Sequence, residues 1–182
     1  SKIKKYDAAA IEVLEGLEPV RRRPGMYIGG TDNSSMHHLF SEVIDNAMDE
    51  AVANFASFIE IRIEKNNLIS VYDNGRGIPV DPHPNFTDKS ALEVIMTTLH
   101  AGGKFSNKVY QTSGGLHGVG ISVVNALSEF VDVEIYRDKK IYNQKFSRGS
   151  CLTKLNQVNI KSNKLGTKIC FKPDPEIFGL EN

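Results

Sequence analysis

Two glycine-rich runs lie close together in the chain, Gly102-Gly103-Lys104 and Ser113–Gly120. Glycine lets backbone N–H groups approach an anion closely, and the second run leads into an apolar helical pattern whose positive end favours phosphate. The two runs therefore predict a phosphate cradle. The second run has the spacing GxxGxG, which matches neither GxGxxG nor GxxxxGK[ST] and so disfavours both of those nucleotide-binding loops. A glycine-rich turn without a ligand is the alternative.

Four polar side chains recur at every fourth position in a segment with helical periodicity. They are His38, Glu42, Asn46 and Glu50. In a helix this spacing drifts by only about 40° per step, so all four side chains share one stripe. A solvated charged face gives the same pattern and is the usual interpretation of such a stripe taken alone.

A third candidate is Asp73, which ends a predicted strand and precedes the sharp turn Gly75–Gly77. A carboxylate held in a pocket at this point can accept a hydrogen bond from an exocyclic amine. The same string also occurs in a simple turn at the end of a hairpin.

The elements that must position these residues follow from periodicity. A helix is predicted over 7–15, a long one from Ser34 or Ser35 to about Ala56, one near 89–99 with Thr87 or Asp88 as its cap, and one over 121–127. Alternating residues predict strands over 58–64, 68–72, 131–137, 141–146, 151–158 and 167–171. Residues 173–182, rich in proline and acidic residues, are expected to be the frayed or truncated end of the domain. Helices early and strands late favour a two-layer α+β sandwich.

Bulk properties limit the classes of protein that fit. The 182 residues are enough for one ordinary core, and we expect a single globular domain. The 22 basic and 22 acidic side chains give a formal charge of +0, so no net field draws the domain onto nucleic acid or a membrane. Cys151 and Cys170 lack zinc-ligand spacing. Without a long apolar run, a soluble cytoplasmic protein is expected.

Three motifs, in this order and spacing, resemble those of the GHKL ATPases: Glu42-Val-Ile-Asp-Asn46, Asp73-Asn-Gly-Arg-Gly77 and Gly115-Leu-His-Gly-Val-Gly120. The resemblance covers nearly the whole chain, and it implies an eight-stranded mixed sheet with helices on one face. It also implies the cofactors ATP and Mg²⁺.

Within that superfamily, further segments resemble the B subunits of bacterial type II topoisomerases. They are 22–27, 99–105 and 113–128. Segments 18–23 and 104–111 are more similar to topoisomerase IV B subunits than to gyrase B subunits. The resemblance then implies an N-terminal ATPase domain over 1–182, with an arm and short helix over 1–16 and an ATP lid over 102–120.

The resemblance assigns roles to individual residues. Glu42 would be the general base that polarises water, with His38 orienting it, and Asn46 would ligate Mg²⁺. Asp73 would accept from the adenine amine, and Thr167 would bond the same carboxylate or its water. The remaining nucleotide contacts implied are Glu50, Arg76, Gly77, Ile78, Pro79, Ile95, Gly102, Gly103, Lys104, Tyr110, Gly115, Leu116, His117, Gly118, Val119, Gly120 and Arg137.

Some of these contacts have specified forms. Arg76 is expected to pair with Glu50, and Arg137 to lie at the mouth of the pocket. Lys104 would pair with phosphate and Tyr110 would lie near the adenine or ribose, whereas a backbone contact suffices at His117. Arg21–Arg23 suit DNA, but solvated or paired arginines are the commoner interpretation on a neutral domain.

The partners implied are an A-type topoisomerase subunit and DNA, both bound through the full-length subunit. The resemblance also implies binding of adenine-competitive inhibitors, and no association with a membrane is expected. The arm that contains Tyr6 would cross into a second copy when ATP binds. The chain stops before the domain that supplies a lysine to the γ-phosphate, so we expect slow hydrolysis by a monomer.

Other functions stay open at this point. The catalytic domain of a sensor histidine kinase shares the fold, although such kinases commonly carry asparagine where this chain has Glu42. A gyrase B subunit, a mismatch-repair or chaperone ATPase, and a non-enzymatic module that ATP merely orders are the further alternatives.

Overall fold

The computed structural model describes residues 16–99 and 119–179. The helices are α1 (Glu18–Arg22), α2 (Gly25–Ile28), α3 (Asn33–Val52), α4 (Ala91–Thr97), α5 (Ile121–Ala126) and α6 (Pro175–Phe178), with a 3₁₀ turn at Lys65–Asn67. The strands are β1 (Ile59–Ile63), β2 (Ile69–Asp73), β3 (Pro82–His83), β4 (Phe86–Ser90), β5 (Ser128–Arg137), β6 (Lys140–Ser147), β7 (Ser150–Cys151), β8 (Asn156–Val158) and β9 (Gly166–Pro173).

The longest helix, α3, forms where the helical periodicity predicts it. Asp32 caps its first turn, because one carboxylate oxygen accepts from the Ser35 N–H at 2.8 Å. Leu39, Val43 and Ala47 recur at helical spacing and are buried against the sheet. The helix ends at Val52 rather than near Ala56, and the chain turns there through Asn54, whose φ is 65°.

The main sheet has seven strands in the order β1-β2-β9-β5-β6-β7, with β8 also paired to β6. The two-layer α+β prediction is confirmed. All the strand pairs found within 16–99 and 119–179 are antiparallel, whereas the resemblance implied eight strands in a mixed sheet. Strand β9 lies between β2 and β5, so the last long strand of the chain joins the early hairpin to the later one.

The segment before α4 differs from its predicted form. Residues 86–90 form β4, which pairs with β3, so the helix starts at Ala91 instead of near Lys89. Its cap is Ser90, whose hydroxyl accepts from the Glu93 N–H at 3.1 Å, and not Thr87 or Asp88. Strand pairing over 86–90 moves the start of the helix along the chain.

The single strand predicted over 151–158 is two short strands, β7 and β8. The N–H groups of Leu152 and Thr153 both donate to the carbonyl of Lys145, at 2.8 and 3.1 Å. Between the pairs Phe146–Cys151 and Asn143–Asn156, residues 152–155 lie opposite only residues 144 and 145 of β6, and this irregularity interrupts the strand.

The segment after β9 is packed rather than frayed, which corrects the prediction for 173–179. Ion pairs between Asp174 and two arginines hold this segment in place. The Asp174 carboxylate is fully buried and accepts from Arg21 at 3.0 Å and from Arg148 at 2.9 Å. Burial works to raise the pKa of Asp174, but the hydrogen bonds from Arg148, the Glu176 N–H and Arg21 outweigh it and hold the pKa below its usual range.

Two of the three consecutive arginines at 21–23 lie in α1 and form ion pairs. Arg21 pairs with Asp174, and Arg22 pairs with Glu18 at 3.3 Å. These contacts support the paired interpretation of Arg21 and Arg22.

The core lies between the sheet and the helices, and residues from α3, α4 and α5 contribute to it. Val133, Ile135 and Phe171 supply its sheet side and are fully buried. In the parts of the chain that the structure describes, no helix has the length and apolar character needed to cross a membrane.

Candidate functional site

The polar stripe on α3 passes from solvent into the protein. His38 is exposed, Asn46 and Glu50 are half-buried, and Glu42 retains only 9% of its accessible surface. A solvated charged face would leave all four exposed, so that interpretation fails at Glu42. Burial of a carboxylate costs free energy unless the group is paired or hydrogen-bonded, so the buried Glu42 is the feature of the helix that needs an explanation.

The electrostatic setting of Glu42 suits proton transfer near neutral pH. Burial and, to a smaller extent, the charges of Asp45 and Asp49 raise the pKa of Glu42 to about 7, although a hydrogen bond from the Gly120 backbone N–H opposes them. Gly120 is the residue that caps α5, so the glycine-rich run and the α3 stripe meet at this contact. A carboxyl group with such a pKa can take and return a proton at neutral pH.

A second buried carboxylate, Asp73, lies at the end of β2 and is 3% exposed. One of its oxygens accepts from the Gly75 N–H at 2.9 Å, as the sharp turn requires. Burial raises the pKa of Asp73 to about 6 against that hydrogen bond, with a further contribution from Glu50. Asp73 therefore presents a second hydrogen-bonding edge inside the protein.

Strand β9 contacts Asp73 directly, because Thr167 is its register partner. The Thr167 hydroxyl accepts from the Ile78 N–H at 3.0 Å and so holds the turn that follows Asp73. The resemblance implied a bond from Thr167 to the Asp73 carboxylate or its water, and that bond stays a prediction. The hydroxyl contact that the structure shows is the one with Ile78.

Two glycines make this close approach of strands possible. A Cβ at Gly166, where φ is +125°, would lie 1.8 Å from the Asp73 carbonyl oxygen. A Cβ at Gly77, where φ is +80°, would lie 3.1 Å from Ile135 and from the Tyr136 carbonyl. Both positions therefore require glycine for conformation and for space.

Arg76 and Glu50 form the predicted ion pair, with Arg76 Nη2 at 2.9 Å from Glu50 Oε1. The guanidinium also lies over the Phe55 ring, 3.8 Å from its centroid. Phe55 is a contact that the sequence analysis missed, because no local pattern relates it to Arg76.

Among the other predicted nucleotide contacts, Arg137 lies at the same turn. Arg137 Nη1 donates to the Gly77 carbonyl at 3.1 Å, which places its guanidinium at this turn. Ile78, Ile95 and Val119 are half-buried and pack against the core, while Pro79 is exposed. Eight predicted contacts lie outside the described residues: Gly102, Gly103, Lys104, Tyr110, Gly115, Leu116, His117 and Gly118.

An aromatic pair crosses β9 on the face of the sheet opposite the helices. Tyr72 and Tyr136 meet edge to face with centroids 6.2 Å apart, and the Lys164 ammonium lies 4.3 Å from the first ring and 4.6 Å from the second. The Tyr72 hydroxyl donates to the Leu165 carbonyl at 2.6 Å. Tyr136 is the register partner of Gly166. The three side chains of Tyr72, Tyr136 and Lys164 therefore pack together on the outer face of the sheet where β5 pairs with that glycine. The alternation of residues in β2 and β5 could have predicted that both rings lie on the outer face of the sheet. It could not have predicted that the two rings contact each other.

No group of three or more His, Cys, Asp or Glu side chains in 16–99 or 119–179 could by itself hold a metal ion. Asn46 contributes one amide oxygen on the α3 stripe, one turn beyond Glu42. Any cation at this point would take most of its oxygen ligands from a bound molecule, as Mg²⁺ does at phosphates.

Comparison with known proteins adds an independent finding. A family model described as "Histidine kinase-, DNA gyrase B-, and HSP90-like ATPase" matches residues 31–177. The B subunit of DNA topoisomerase 4 from Bartonella bacilliformis is 62% identical over 174 residues, which are 96% of this chain and 25% of that protein. Its counterpart from Caulobacter vibrioides is 65% identical over 174 residues, with 96% and 25% covered.

Gyrase is more distant. The B subunit of DNA gyrase from Thermotoga maritima is 54% identical over 176 residues, covering 97% of this chain and 27% of that protein. Among solved structures, the 43K ATPase domain of Thermus thermophilus gyrase B in complex with an aminocoumarin superposes with a TM-score of 0.80 at 48% identity, covering 95% of this chain and 43% of that one. The chain spans about a quarter of the length of these curated relatives.

Proposed function

The chain belongs to the histidine kinase-, DNA gyrase B- and HSP90-like ATPase family, and from that premise we propose that it binds Mg-ATP and hydrolyses it with Glu42 as general base. The observation that carries this proposal is the burial of Glu42 on α3 against the Gly120 N–H, with a pKa of about 7. A buried carboxylate whose pKa is raised is unfavourable for folding, and a general base whose pKa is near the working pH is the use that explains it.

Adenine would be recognised at Asp73. A carboxylate at this depth offers an acceptor for the exocyclic amine, and Gly75 and Thr167 hold its surroundings in place. The Arg76–Glu50 pair and Arg137 would border the base. Discrimination against other bases would follow, because a base without a donor at that edge leaves the carboxylate unsatisfied.

The phosphates and Mg²⁺ would lie between α3 and the N-terminal end of α5. The Asn46 amide oxygen suits Mg²⁺, and the phosphate oxygens would complete its octahedral shell. When bound, the ion would neutralise charge at the transferring phosphoryl group. His38 lies one turn before Glu42 on the same stripe and would orient it. Lys104, Tyr110 and Gly115–Gly118 remain predictions for this region.

Hydrolysis would operate the clamp of a type II DNA topoisomerase. This step rests on the relatives, which are named as the B subunits of topoisomerase 4 at 62 and 65% identity and of gyrase at 54%. The higher identities favour topoisomerase IV over gyrase. The partners would be an A-type subunit, DNA and a second copy of this subunit, joined through the N-terminal arm when ATP binds.

A histidine-kinase function is the alternative in another class. Glu42 argues against it, because a kinase must protect the phosphoryl group from water, whereas a buried general base activates water. DNA-stimulated release of phosphate by the full-length subunit with its partner, with no phosphorylated histidine formed, would distinguish the two functions.

Asp73→Asn tests the adenine site. We expect Mg-ATP to bind at least about 30-fold more weakly, on the order of 2 kcal/mol, because the amide presents a donor to the adenine amine. Isothermal titration calorimetry measures the affinity. Asp132→Asn is the matched control, since it makes the same change on the outer face of β5 and should bind as the wild type does.

The same variant separates lost binding from lost folding. The pKa of Asp73 is raised to about 6 in the folded state, so its ionised form destabilises the fold, and this penalty grows as pH rises from the ordinary carboxyl range toward 6 and persists above it. Removing the charge is therefore expected to raise the melting temperature at pH 8. Undiminished ATP affinity in a folded Asp73→Asn protein would refute the adenine site.

The pH dependence of turnover tests Glu42. Because the base must be ionised and its pKa is about 7, kcat/KM for ATP is expected to fall about tenfold per pH unit below that value and to level off above about pH 8. Asp45→Asn removes a negative charge that raises this pKa, so the acidic limb should move to lower pH. Protonation of ATP is the same in assays of the wild type and of Asp45→Asn, so it cannot cause a difference between them. An acidic limb at the same pH in both proteins would show that a group other than Glu42 sets it.

A further inference from the structure

Asn125 is a buried polar side chain to which neither the sequence motifs nor the proposed chemistry gives a role. It lies in α5 and is fully buried. Its Nδ2 donates to the carbonyl of Met96 in the last turn of α4 at 2.8 Å, and its Oδ1 accepts from the Gly149 N–H at 3.3 Å. One carboxamide therefore joins α4, α5 and the turn between β6 and β7.

The connection to α4 satisfies a specific backbone group. Carbonyls in the last turn of a helix have no partner within the helix, and a buried one needs a partner from elsewhere. Asn125 supplies that partner at Met96, which is itself fully buried. An apolar side chain of similar size could fill the space but would leave both the Met96 carbonyl and the Gly149 N–H without this bond.

The opposite end of α5 contacts the site. Gly120 caps the helix, and its N–H donates to the Glu42 carboxylate. All six residues of α5 are buried, so packing couples the C-terminal end of the helix to Gly120 at its N-terminal end. A second contact, from Arg21 Nη1 to the Ala126 carbonyl at 2.7 Å, holds the same C-terminal end.

We propose that Asn125 is a positioning residue: by tying α5 to α4 and to the Gly149 turn, it holds the Gly120 N–H on the Glu42 carboxylate. The proposal rests on the proposed function for its effect on catalysis. Its geometric part, the link between Asn125 and the Gly120–Glu42 contact, does not depend on ATP and is tested without it.

The first measurement is amide hydrogen exchange of the 182-residue chain, followed by NMR without nucleotide. In Asn125→Ala the Gly120 amide is expected to exchange about tenfold faster relative to amides of the central strand β5, because local opening at the end of α5 becomes easier. Asn143→Ala is the matched control, since that amide bonds the Val133 carbonyl and Asp132 on β5 and β6, away from α5. Asn125→Ser serves if the alanine variant does not fold.

The second measurement is steady-state ATP hydrolysis by the full-length subunit. Loss of alignment at Glu42 is expected to lower kcat about tenfold while KM for ATP changes less than about threefold. Gly120 exchange unchanged from wild type in a folded Asn125 variant, or a kcat within twofold of wild type, overturns the positioning role. If wild type hydrolyses no ATP, the proposed function fails, and the exchange result still decides the geometric part.

Discussion

Replacing Glu42 with glutamine is expected to lower ATP turnover by about 100- to 10,000-fold, the usual contribution of a positioned general base. Glutamine has the same shape and still accepts a hydrogen bond from the Gly120 N–H, but it cannot take a proton from water. Binding of Mg-ATP should stay within about threefold of wild type, because the substitution leaves the proposed contacts with adenine and with Mg²⁺ unchanged. Calorimetry measures binding, and phosphate release by the full-length subunit measures turnover.

The stability of this variant provides an independent check. Burial raises the pKa of Glu42 from 4.5 to about 7, so above neutral pH the ionised side chain destabilises the fold. Glu42→Gln should therefore melt at a higher temperature than wild type at pH 8, with the difference shrinking as pH falls below 7 where Glu42 is protonated. Turnover retained within tenfold would exclude Glu42 as the base, whatever the change in stability.

Glu93→Gln is the matched control for this experiment. Glu93 lies on α4 and accepts from the Cys151 thiol at 2.8 Å, outside the stripe on α3. It also loses a carboxylate without loss of volume, so a fall in turnover confined to Glu42→Gln would assign the effect to position rather than to charge.

Gly166→Ala is expected to destabilise the fold by more than about 4 kcal/mol or to prevent folding. Its Cβ would lie 1.8 Å from the Asp73 carbonyl oxygen, so β2 and β9 would have to separate at the Asp73 and Thr167 pair. That pair forms the proposed adenine site, so any folded fraction should bind Mg-ATP weakly. Chemical denaturation measures the first effect and calorimetry the second.

Gly29→Ala isolates the contribution of the backbone angle. Gly29 has φ of +88°, but a Cβ added there would meet no atom within 4 Å, so alanine introduces conformational strain without a clash. We expect a cost of about 1–2 kcal/mol at Gly29. Equal costs at Gly29 and Gly166 would contradict the interpretation that close strand approach makes glycine necessary at Gly166.

The elements carrying the site could be predicted because their signals are local. The repeat of polar residues every four positions from His38 to Glu50 places those side chains on one face of any helix. The alternation of apolar and polar residues marks both strands that meet at Asp73. Burial of Glu42 could not be predicted, because the same spacing suits a solvated face. It depends on α5 packing across the stripe, and that contact joins two segments that are remote in the sequence.

The errors have the same cause. Residues 173–179 look like a polar end because the partners of Asp174 are remote: Arg21 is 153 positions away and Arg148 is 26. Ser90 caps α4 because pairing of β4 with β3 occupies the residues before it, which a scan for capping residues does not detect. The glycine motif predicted Gly120, but Asn125, further along the same helix, has no recognisable pattern.

The contact between Tyr72 and Tyr136 gives this protein an intrinsic fluorescence signal. The chain contains no tryptophan, so tyrosine emission is not masked by energy transfer to an indole. These two rings contact each other and Lys164 directly behind Gly166, on the reverse side of the strands that hold Asp73 and Thr167. A change in spacing between β2, β9 and β5 alters the environment of both phenols, and label-free fluorescence can follow that change in real time.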